Sequence, residues 1–216
     1  MSKPDALAAG APPVGGAGAG QVRVRRAEAS DREALRQMFD RCSPRTRYRR
    51  FHGPVKAIPE RYLAEALSGG AFHYALVACP EFPGSNRDAP SGGIVALGSC
   101  RTVGEGAAEL GLLIEDAWQR HGLGTRLLRD LVTHAGRDGV RVLEAQLLAE
   151  QAWITGLLRP YGSCRPGLTG HGVLNVTVRL GEGAALRAWT VAEGSRNTRG
   201  WTRSPPEFRN AWDGAG

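Results

Sequence analysis

The spacing of apolar positions predicts alternating strands and helices soon after the N-terminus. The segment QVRVRRA at 21–27 alternates apolar and polar residues, as a half-buried strand does. The next segment, 30–39, has helical spacing, and Ser30 and Glu33 have the spacing of a capping box at its start. The basic stretch at 41–56 follows and is interpreted as a connection. The chain is therefore expected to begin with a strand and a helix.

The later periodic segments continue this alternation. They predict a short helix from Pro59, strands at 72–78, 92–103 and 107–116, a helix from Gly122, a strand at 140–148, a helix at 149–162 and a strand at 173–180. This order predicts a mixed α/β sheet with one central crossover and with helices packed against it.

The two ends of the chain differ in composition from its middle. Residues 1–20 are rich in Gly, Ala and Pro and are interpreted as a disordered tail. Residues 21–182 hold the periodic segments and have the length of one domain. Residues 183–216 contain tryptophans without a sustained period, and their structure stays unassigned. They could fold back on the sheet, stay disordered or pair with a second subunit, so a homodimer stays open.

Composition excludes several classes of protein. No apolar run approaches the roughly 20 residues that cross a bilayer, and the N-terminus lacks the basic-then-apolar order of a signal peptide. We therefore expect a cytoplasmic protein with no membrane partner. The four cysteines are scattered without a CxxC pair, which indicates reduced structural thiols. The five histidines have no ligand spacing, so no metal site is expected.

The net charge of +7 comes almost wholly from arginine, because Lys3 and Lys56 are the only lysines. The densest basic run is the stretch at 41–56, in which Tyr48 and Phe51 are interleaved. Such a run could bind nucleic acid or an acidic protein. We favour a structural role, in which the aromatic side chains anchor the segment and the arginines meet solvent or carboxylates. Nucleic acid is therefore not the expected partner.

The stretch WQRHGLGTRLL at 118–128 joins an apolar strand to an apolar helix through glycines. Such a turn directs several backbone N–H groups outward at the positive end of the helix dipole, which favours phosphate binding. A P-loop would need Gly-Lys-Ser/Thr, which is absent, and a dinucleotide fingerprint would need glycine where Leu127 stands. The turn therefore predicts a ligand with a pyrophosphate that neither motif describes.

The turn resembles the coenzyme A signature of the GNAT family of N-acetyltransferases, which is Gln or Arg, two residues, Gly, one residue, then Gly or Ala. The residues that satisfy it are Gln119, Arg120, His121, Gly122, Leu123 and Gly124. The resemblance runs from about Val22 to Leu180 and implies a GNAT-like α/β fold: a mixed, mostly antiparallel sheet flanked by helices, with a splayed strand pair that holds acyl-CoA.

The resemblance also implies where acetyl-CoA, the co-substrate, would bind. The loop amides would hold its pyrophosphate, with Thr125 completing the turn, and the preceding strand would pair its backbone with the pantetheine arm. In that strand the matching residues are Leu112, Leu113 and Ile114. One departure is Arg120, which replaces a glycine common in this loop. Another is Ser163, which replaces an aromatic residue common after Gly162.

The segment SPRTRYRRFHG, from Ser43 to Gly53, is similar to one in bacterial protein lysine acetyltransferases of Pat type, although His52 departs from an aromatic residue there. Acetyl transfer needs a neutral amine, and a lysine is almost fully protonated at pH 7. Glu109 lies in an apolar strand three residues before Leu112, and the Pat-type resemblance implies that it is the general base. The other interpretation is a salt-bridged or solvent-facing strand residue. Alternation places Glu109 on the face of Leu113 unless a bulge intervenes.

The remaining chemistry needs little from side chains. A backbone N–H near Leu113 could stabilise the oxyanion. Tyr161 could serve as the acid for the leaving thiolate, but a packing role is favoured. The expected enzyme is an acetyl-CoA-dependent N-acetyltransferase that acts in a ternary complex on a primary amine, with a protein lysine as the first choice and a small amine as the second. The alternative is a binding module and not an enzyme: a catalytically silent sensor of acyl-CoA.

Overall fold

The computed structural model describes residues 22–69, 73–81, 93–169 and 172–181. Its strands are β1 (Val22–Arg26), β2 (His73–Pro80), β3 (Ala96–Gly104), β4 (Ala107–Ile114), β5 (Val142–Leu148), β6 (Gly162–Thr169) and β7 (Val173–Leu180). They form one seven-stranded sheet in the order β1-β2-β3-β4-β5-β7-β6. Within the described ranges, only β4 and β5 pair in parallel, and every other neighbouring pair is antiparallel. The expected mixed, mostly antiparallel sheet is confirmed.

The helices are α1 (Arg32–Arg41), α2 (Pro44–Phe51), α3 (Glu60–Leu67), α4 (Leu123–Arg137) and α5 (Ile154–Leu158). They cover both faces of the sheet, because each face carries its own apolar core. Leu35, Met38 and Leu63 pack with Val77 and Leu113 on one face. On the other face, the buried stripe of α4 packs with alternate residues of the same strands, such as Leu76 and Leu110. We refer to these as the α1–α3 face and the α4 face.

The parallel strands β4 and β5 are paired only over the first half of their length. Its rungs run from Ala107–Val142 to Leu110–Ala145, yet β4 continues to Ile114 and β5 continues to Leu148. β4 stays paired with β3, and β5 stays paired with β7. The sheet therefore opens between the two strands beyond this last rung, and the expected splayed pair is confirmed.

Helix α2 lies inside the stretch that was expected to be a connection. Ser43 caps it, since its hydroxyl accepts a hydrogen bond from Thr46 N at 3.2 Å, and Pro44 occupies the first turn. Arginine is a good helix former. The interpretation of 41–56 as a connection was wrong because the arginines left no apolar stripe, although the Ser-Pro pair is a helix-start signal.

Strand β6 was not expected either. Its sequence GSCRPGLT does not alternate, and glycine and proline are poor strand residues. The strand pairs with β7 at the edge of the sheet, and among the described residues its other side has no strand partner, which is where proline is tolerated. The helix expected at 149–162 is a short 3-10 turn, the five-residue α5 and a second 3-10 turn containing Pro160.

The expected capping box of Ser30 and Glu33 is absent. A 3-10 turn at 29–31 precedes α1, and the side chain of Asp31 accepts hydrogen bonds from Glu28 N at 2.8 Å and from Arg25 at 2.6 and 2.7 Å. The expected tail at 1–20 and extension at 183–216 lie outside the described residues. Within the described ranges, none of the helices has both the length and the apolar character that a membrane span needs.

Candidate functional site

The glycine turn leads into the longest helix, α4, which has fifteen residues in the structure. Gly122 is its N-cap with a φ of +79°, and no side chain caps the first turn. The N–H groups of Leu123, Gly124 and Thr125 therefore have no partner four residues earlier within the helix, and they face outward at its positive end. This is the geometry that the sequence led us to expect for a phosphate-binding turn.

Two positions in this turn carry unusual constraints. Arg120 has a φ of +66°, in the left-handed region that glycine adopts without strain. This explains why a glycine would suit the position, and the side chains of Arg120 and His121 are exposed. A Cβ on Gly124 would lie 3.2 Å from Ile114 Cδ1, so glycine lets the start of α4 pack closely on the end of β4.

The side chain of Gln119 points into the protein. Its Nε2 donates to Ile114 O at 2.9 Å and to Thr46 Oγ1 at 3.0 Å. These bonds tie the turn to the end of β4 and to α2. The side-chain amide of Gln119 therefore fixes the position of the turn.

Asp116 makes a second connection between α2 and the turn. Its carboxylate accepts hydrogen bonds from Ser43 N and Ser43 Oγ, both at 2.7 Å, and from Thr46 Oγ1 at 2.8 Å. Burial alone would raise the pKa of Asp116, but these hydrogen bonds outweigh it and lower the pKa. Sequence reasoning missed this group, although Ser43 and Thr46 belong to the segment that resembles the Pat-type enzymes.

Strand β4 presents its two faces to different layers. Leu112 and Ile114 pack against the α4 face, whereas Leu113 is buried on the α1–α3 face. Glu109 therefore shares the face of Leu113, as regular alternation predicts. Residues 112–114 lie beyond the last rung with β5, so their edge toward β5 has no strand partner in the described part of the chain.

Glu109 is held by a neighbouring strand. Its Oε2 accepts a hydrogen bond from Arg101 Nη2 at 2.5 Å, and the two residues are directly opposite each other on β3 and β4. The Glu109 side chain is 28% exposed, so it remains reachable from solvent. Glu144 stands opposite Glu109 on β5, which puts a second carboxylate on the same face. An incoming ammonium would have to compete with Arg101 for Oε2.

Two neutral imidazoles lie near this carboxylate. Burial, reinforced by Arg50, lowers the pKa of His52, which ends α2 with a φ of +54°. Burial lowers the pKa of His73 to about 4, although Glu65 partly opposes it. Both rings are therefore uncharged at neutral pH, and Glu109 contributes to the electrostatic environment of each.

The basic run is largely occupied by contacts within the protein. Arg45 and Arg49 both pair with Glu150, which follows β5. Arg47 donates to three backbone carbonyls and lies over the Phe39 ring. Tyr161 packs on the α4 face, and burial raises its pKa. No group of three His, Cys, Asp or Glu residues suited to a metal ion occurs within the described ranges.

The sequence of this chain is similar to those of known acetyltransferases. The sequence model of the acetyltransferase (GNAT) family matches residues 33–154. An acetyltransferase of Pseudomonas aeruginosa is 33% identical over 121 residues, which are 56% of this chain and 62% of that protein. The chain therefore matches less than two thirds of the length of this relative.

Solved structures show the same fold. The GNAT domain of S. lividans PAT superposes with a TM-score of 0.60 at 20% identity, covering 74% of this chain and 90% of that one. YncA of Salmonella typhimurium, solved with its cofactor acetyl-CoA, gives a TM-score of 0.54 at 18% identity, covering 75% of this chain and 95% of that one.

Proposed function

We propose that this chain, which belongs to the GNAT family of acetyltransferases, transfers the acetyl group of acetyl-CoA to a primary amine. The first choice of acceptor is a protein lysine, and the transfer is a direct attack in a ternary complex. One observation carries the proposal: β4 and β5 separate beside a carboxylate, next to a helix whose first turn is uncapped.

The residues around the opening fit acetyl-CoA. The uncapped amides of 122–125 suit the pyrophosphate, since they present partial positive charge without a competing side chain. The edge of residues 112–114 that faces β5 suits the pantetheine arm, which has amide groups to pair with it. Bound in this way, acetyl-CoA supplies a thioester that an amine can attack.

Glu109 is the proposed general base. It lies on the α1–α3 face one residue before the last rung of β4 with β5, whereas the turn that would hold the cofactor belongs to the α4 face. The acceptor would approach from the α1–α3 face and lose its proton to Glu109, directly or through water. A backbone N–H near Leu113 would stabilise the negative charge on the carbonyl oxygen.

The segment that resembles the Pat-type enzymes supports a protein lysine as the acceptor. Ser43 and Thr46 in that segment fix α2 against the turn, and Arg50 and His52 at its end lie on the acceptor side of the opening. A protein lysine is therefore the first choice, and a small amine is the second.

A catalytically silent sensor of acyl-CoA is the competing function. The ion pair between Glu109 and Arg101 favours it, because a carboxylate that is already paired must be released before it can accept a proton. Turnover decides between the two. We expect the purified protein to release free thiol from acetyl-CoA in the presence of lysine-containing proteins or small amines. Tight acetyl-CoA binding in calorimetry without turnover on any acceptor would instead establish the sensor.

A further inference from the structure

The side chain of Arg50 reaches from α2 across to strand β4. A Cβ built on Gly111 would lie only 2.6 Å from Arg50 Cζ and 2.8 Å from its Nε. Any residue other than glycine at 111 would therefore require the guanidinium to move from this position. A glycine inside a strand often marks such a close approach, and here the approaching group is a cation.

Two aromatic rings hold the guanidinium in place. Arg50 Cζ lies 5.0 Å from the centre of the Phe51 ring and 4.8 Å from that of the Tyr62 ring. Tyr62 is itself fixed, because its hydroxyl is 3.1 Å from Ser99 Oγ. Contact with two rings and with the backbone at Gly111 restricts the orientation of the guanidinium plane.

Arg50 has no hydrogen bond and no ion pair with any residue that the structure describes, and its Nε is shielded from solvent without a partner. Its neighbours on α2 differ, since Arg45 and Arg49 both pair with Glu150. A half-buried guanidinium without an acceptor is costly. A planar fork in a fixed orientation suits a carboxylate, which can accept two parallel hydrogen bonds.

The location of Arg50 indicates which molecule would bring that carboxylate. The phosphates of acetyl-CoA are assigned to the turn at 119–125, beyond the end of β4. Gly111 lies two residues from Glu109 on the same face, which is roughly 7 Å along a strand. An anion at Arg50 would therefore sit beside the amine that Glu109 deprotonates. We infer that Arg50 binds a carboxylate of the acceptor and selects amines that carry one nearby.

This inference rests on the proposed function and narrows its acceptor. The shared chemistry is an amine with a carboxylate within a few bonds or one residue. It could come from a free amino acid or from a lysine that has an acidic neighbour in a protein. In both cases Glu109 would receive the proton of the amine, while Arg50 would hold the carboxylate and take no part in proton transfer.

The test compares acceptors in matched pairs. One arm uses free L-amino acids against their carboxamides, and the other uses lysine peptides with aspartate or asparagine beside the lysine. For each pair we would measure the ratio of kcat/KM values in the wild type and in Arg50→Gln. The intrinsic reactivity of each amine is the same with both enzymes, so a change in the ratio isolates the effect of Arg50.

We expect Arg50→Gln to lower this ratio about ten- to hundredfold in one of the two arms, mainly through KM. Gly111→Ala should lower the same ratio, because it displaces the guanidinium while keeping the charge. The control is Arg45→Gln, which removes an exposed pair on the same helix and should leave the ratio unchanged.

An unchanged ratio in both arms would overturn the inference. An equal loss of kcat/KM on the charged acceptor and on its neutral counterpart would overturn it too, because Arg50 would then act on the thioester or the leaving thiolate. These failures leave the proposed function intact. Absence of turnover on every amine, with acetyl-CoA bound in calorimetry, would contradict the proposed function itself.

Discussion

Glycine, or its absence, constrains single positions of the turn at 119–125, which is the proposed cofactor site. Gly124 leaves room for Ile114 at the end of β4, whereas Arg120 adopts a left-handed φ that costs an L-residue about 1 kcal/mol. The turn therefore combines a position where a side chain cannot fit with one where a side chain is tolerated under strain. The two positions should respond differently to substitution.

Gly124→Glu should abolish acetyl-CoA binding. Its Cβ would crowd Ile114, and its carboxylate would stand at the helix end where the pyrophosphate is expected. Isothermal calorimetry with acetyl-CoA measures the effect. Gly156→Ala is the control, since a Cβ there meets nothing within 4 Å. Wild-type affinity in Gly124→Glu would refute the assignment of the turn.

Arg120 offers a test of backbone strain. Arg120→Gly should be at least as stable as the wild type, while Arg120→Val should lose about 1 kcal/mol of unfolding free energy, because a β-branched residue tolerates a positive φ least. Urea denaturation of the three proteins measures this order. Equal stabilities would mean that residue 120 does not adopt this conformation.

Among the helices, α2 connects the turn that is proposed to hold the cofactor with the side of the sheet that is proposed to receive the acceptor. Its first turn is bonded to Asp116, and its last turn carries Arg50 to Gly111. Arg49, in between, reaches Glu150 beyond the end of β5. Helix α2 therefore makes contacts on both sides of the opening. It contacts β4 and the turn after β4 on one side, and Glu150 after β5 on the other.

Asp116→Asn should lower the free energy of unfolding by about 1–2 kcal/mol at pH 7, because hydrogen bonds to a charged group that attach α2 are lost. The pKa of Asp116 is lowered by folding, so its carboxylate stabilises the fold above about pH 4, and that stabilisation is lost as the pH falls through the folded pKa. The difference between variant and wild type should therefore shrink in acid. Urea denaturation across pH measures it, with the exposed Asp40 changed to Asn as the control.

The sequence predicted the elements whose packing is periodic and missed those held by other forces. The buried stripe of α4 and the strands next to it were recognisable because each has a continuous apolar face. Helix α2 depends on a cap and on arginine contacts, and β6 depends on pairing with β7, so neither has such a face.

In the candidate site, too, some features could be predicted from the sequence and others could not. The positions of the turn and of Glu109 in the fold were predictable, because a local motif and an acid in an apolar strand can be recognised from the sequence; their roles stay predictions. The contacts of Glu109 with Arg101 and of Arg50 with Gly111 join separate elements. They depend on the register of β3 with β4 and on the placement of α2, which apolar spacing does not specify.

At the scale of the whole molecule, the sheet separates two layers that meet at the gap between β4 and β5. The turn at 119–125 belongs to the α4 face, and Glu109, Arg101 and Arg50 belong to the α1–α3 face. The proposed transfer between molecules on opposite faces needs such a gap.

Leu131→Ala tests how far the α4 layer supports the fold. Leu131 is fully buried, and its Cδ1 would lie 3.0 Å from a Cβ on Gly98 of β3. The substitution should lower the unfolding free energy by about 2–5 kcal/mol, because it leaves a cavity under the sheet. Val103→Ala, at a residue 43% exposed, should change it by less than about 0.5 kcal/mol. A small loss at Leu131 would indicate a loosely packed layer.

The role of Glu109 as the base is tested by the rate of acetyl transfer in Glu109→Gln, measured as thiol release, together with acetyl-CoA affinity measured by calorimetry. The variant should lose about a hundredfold or more in kcat while binding acetyl-CoA as the wild type does. The control is Glu105→Gln, an exposed glutamate between β3 and β4 that should keep full activity. Wild-type turnover in Glu109→Gln would show that Glu109 is not the base.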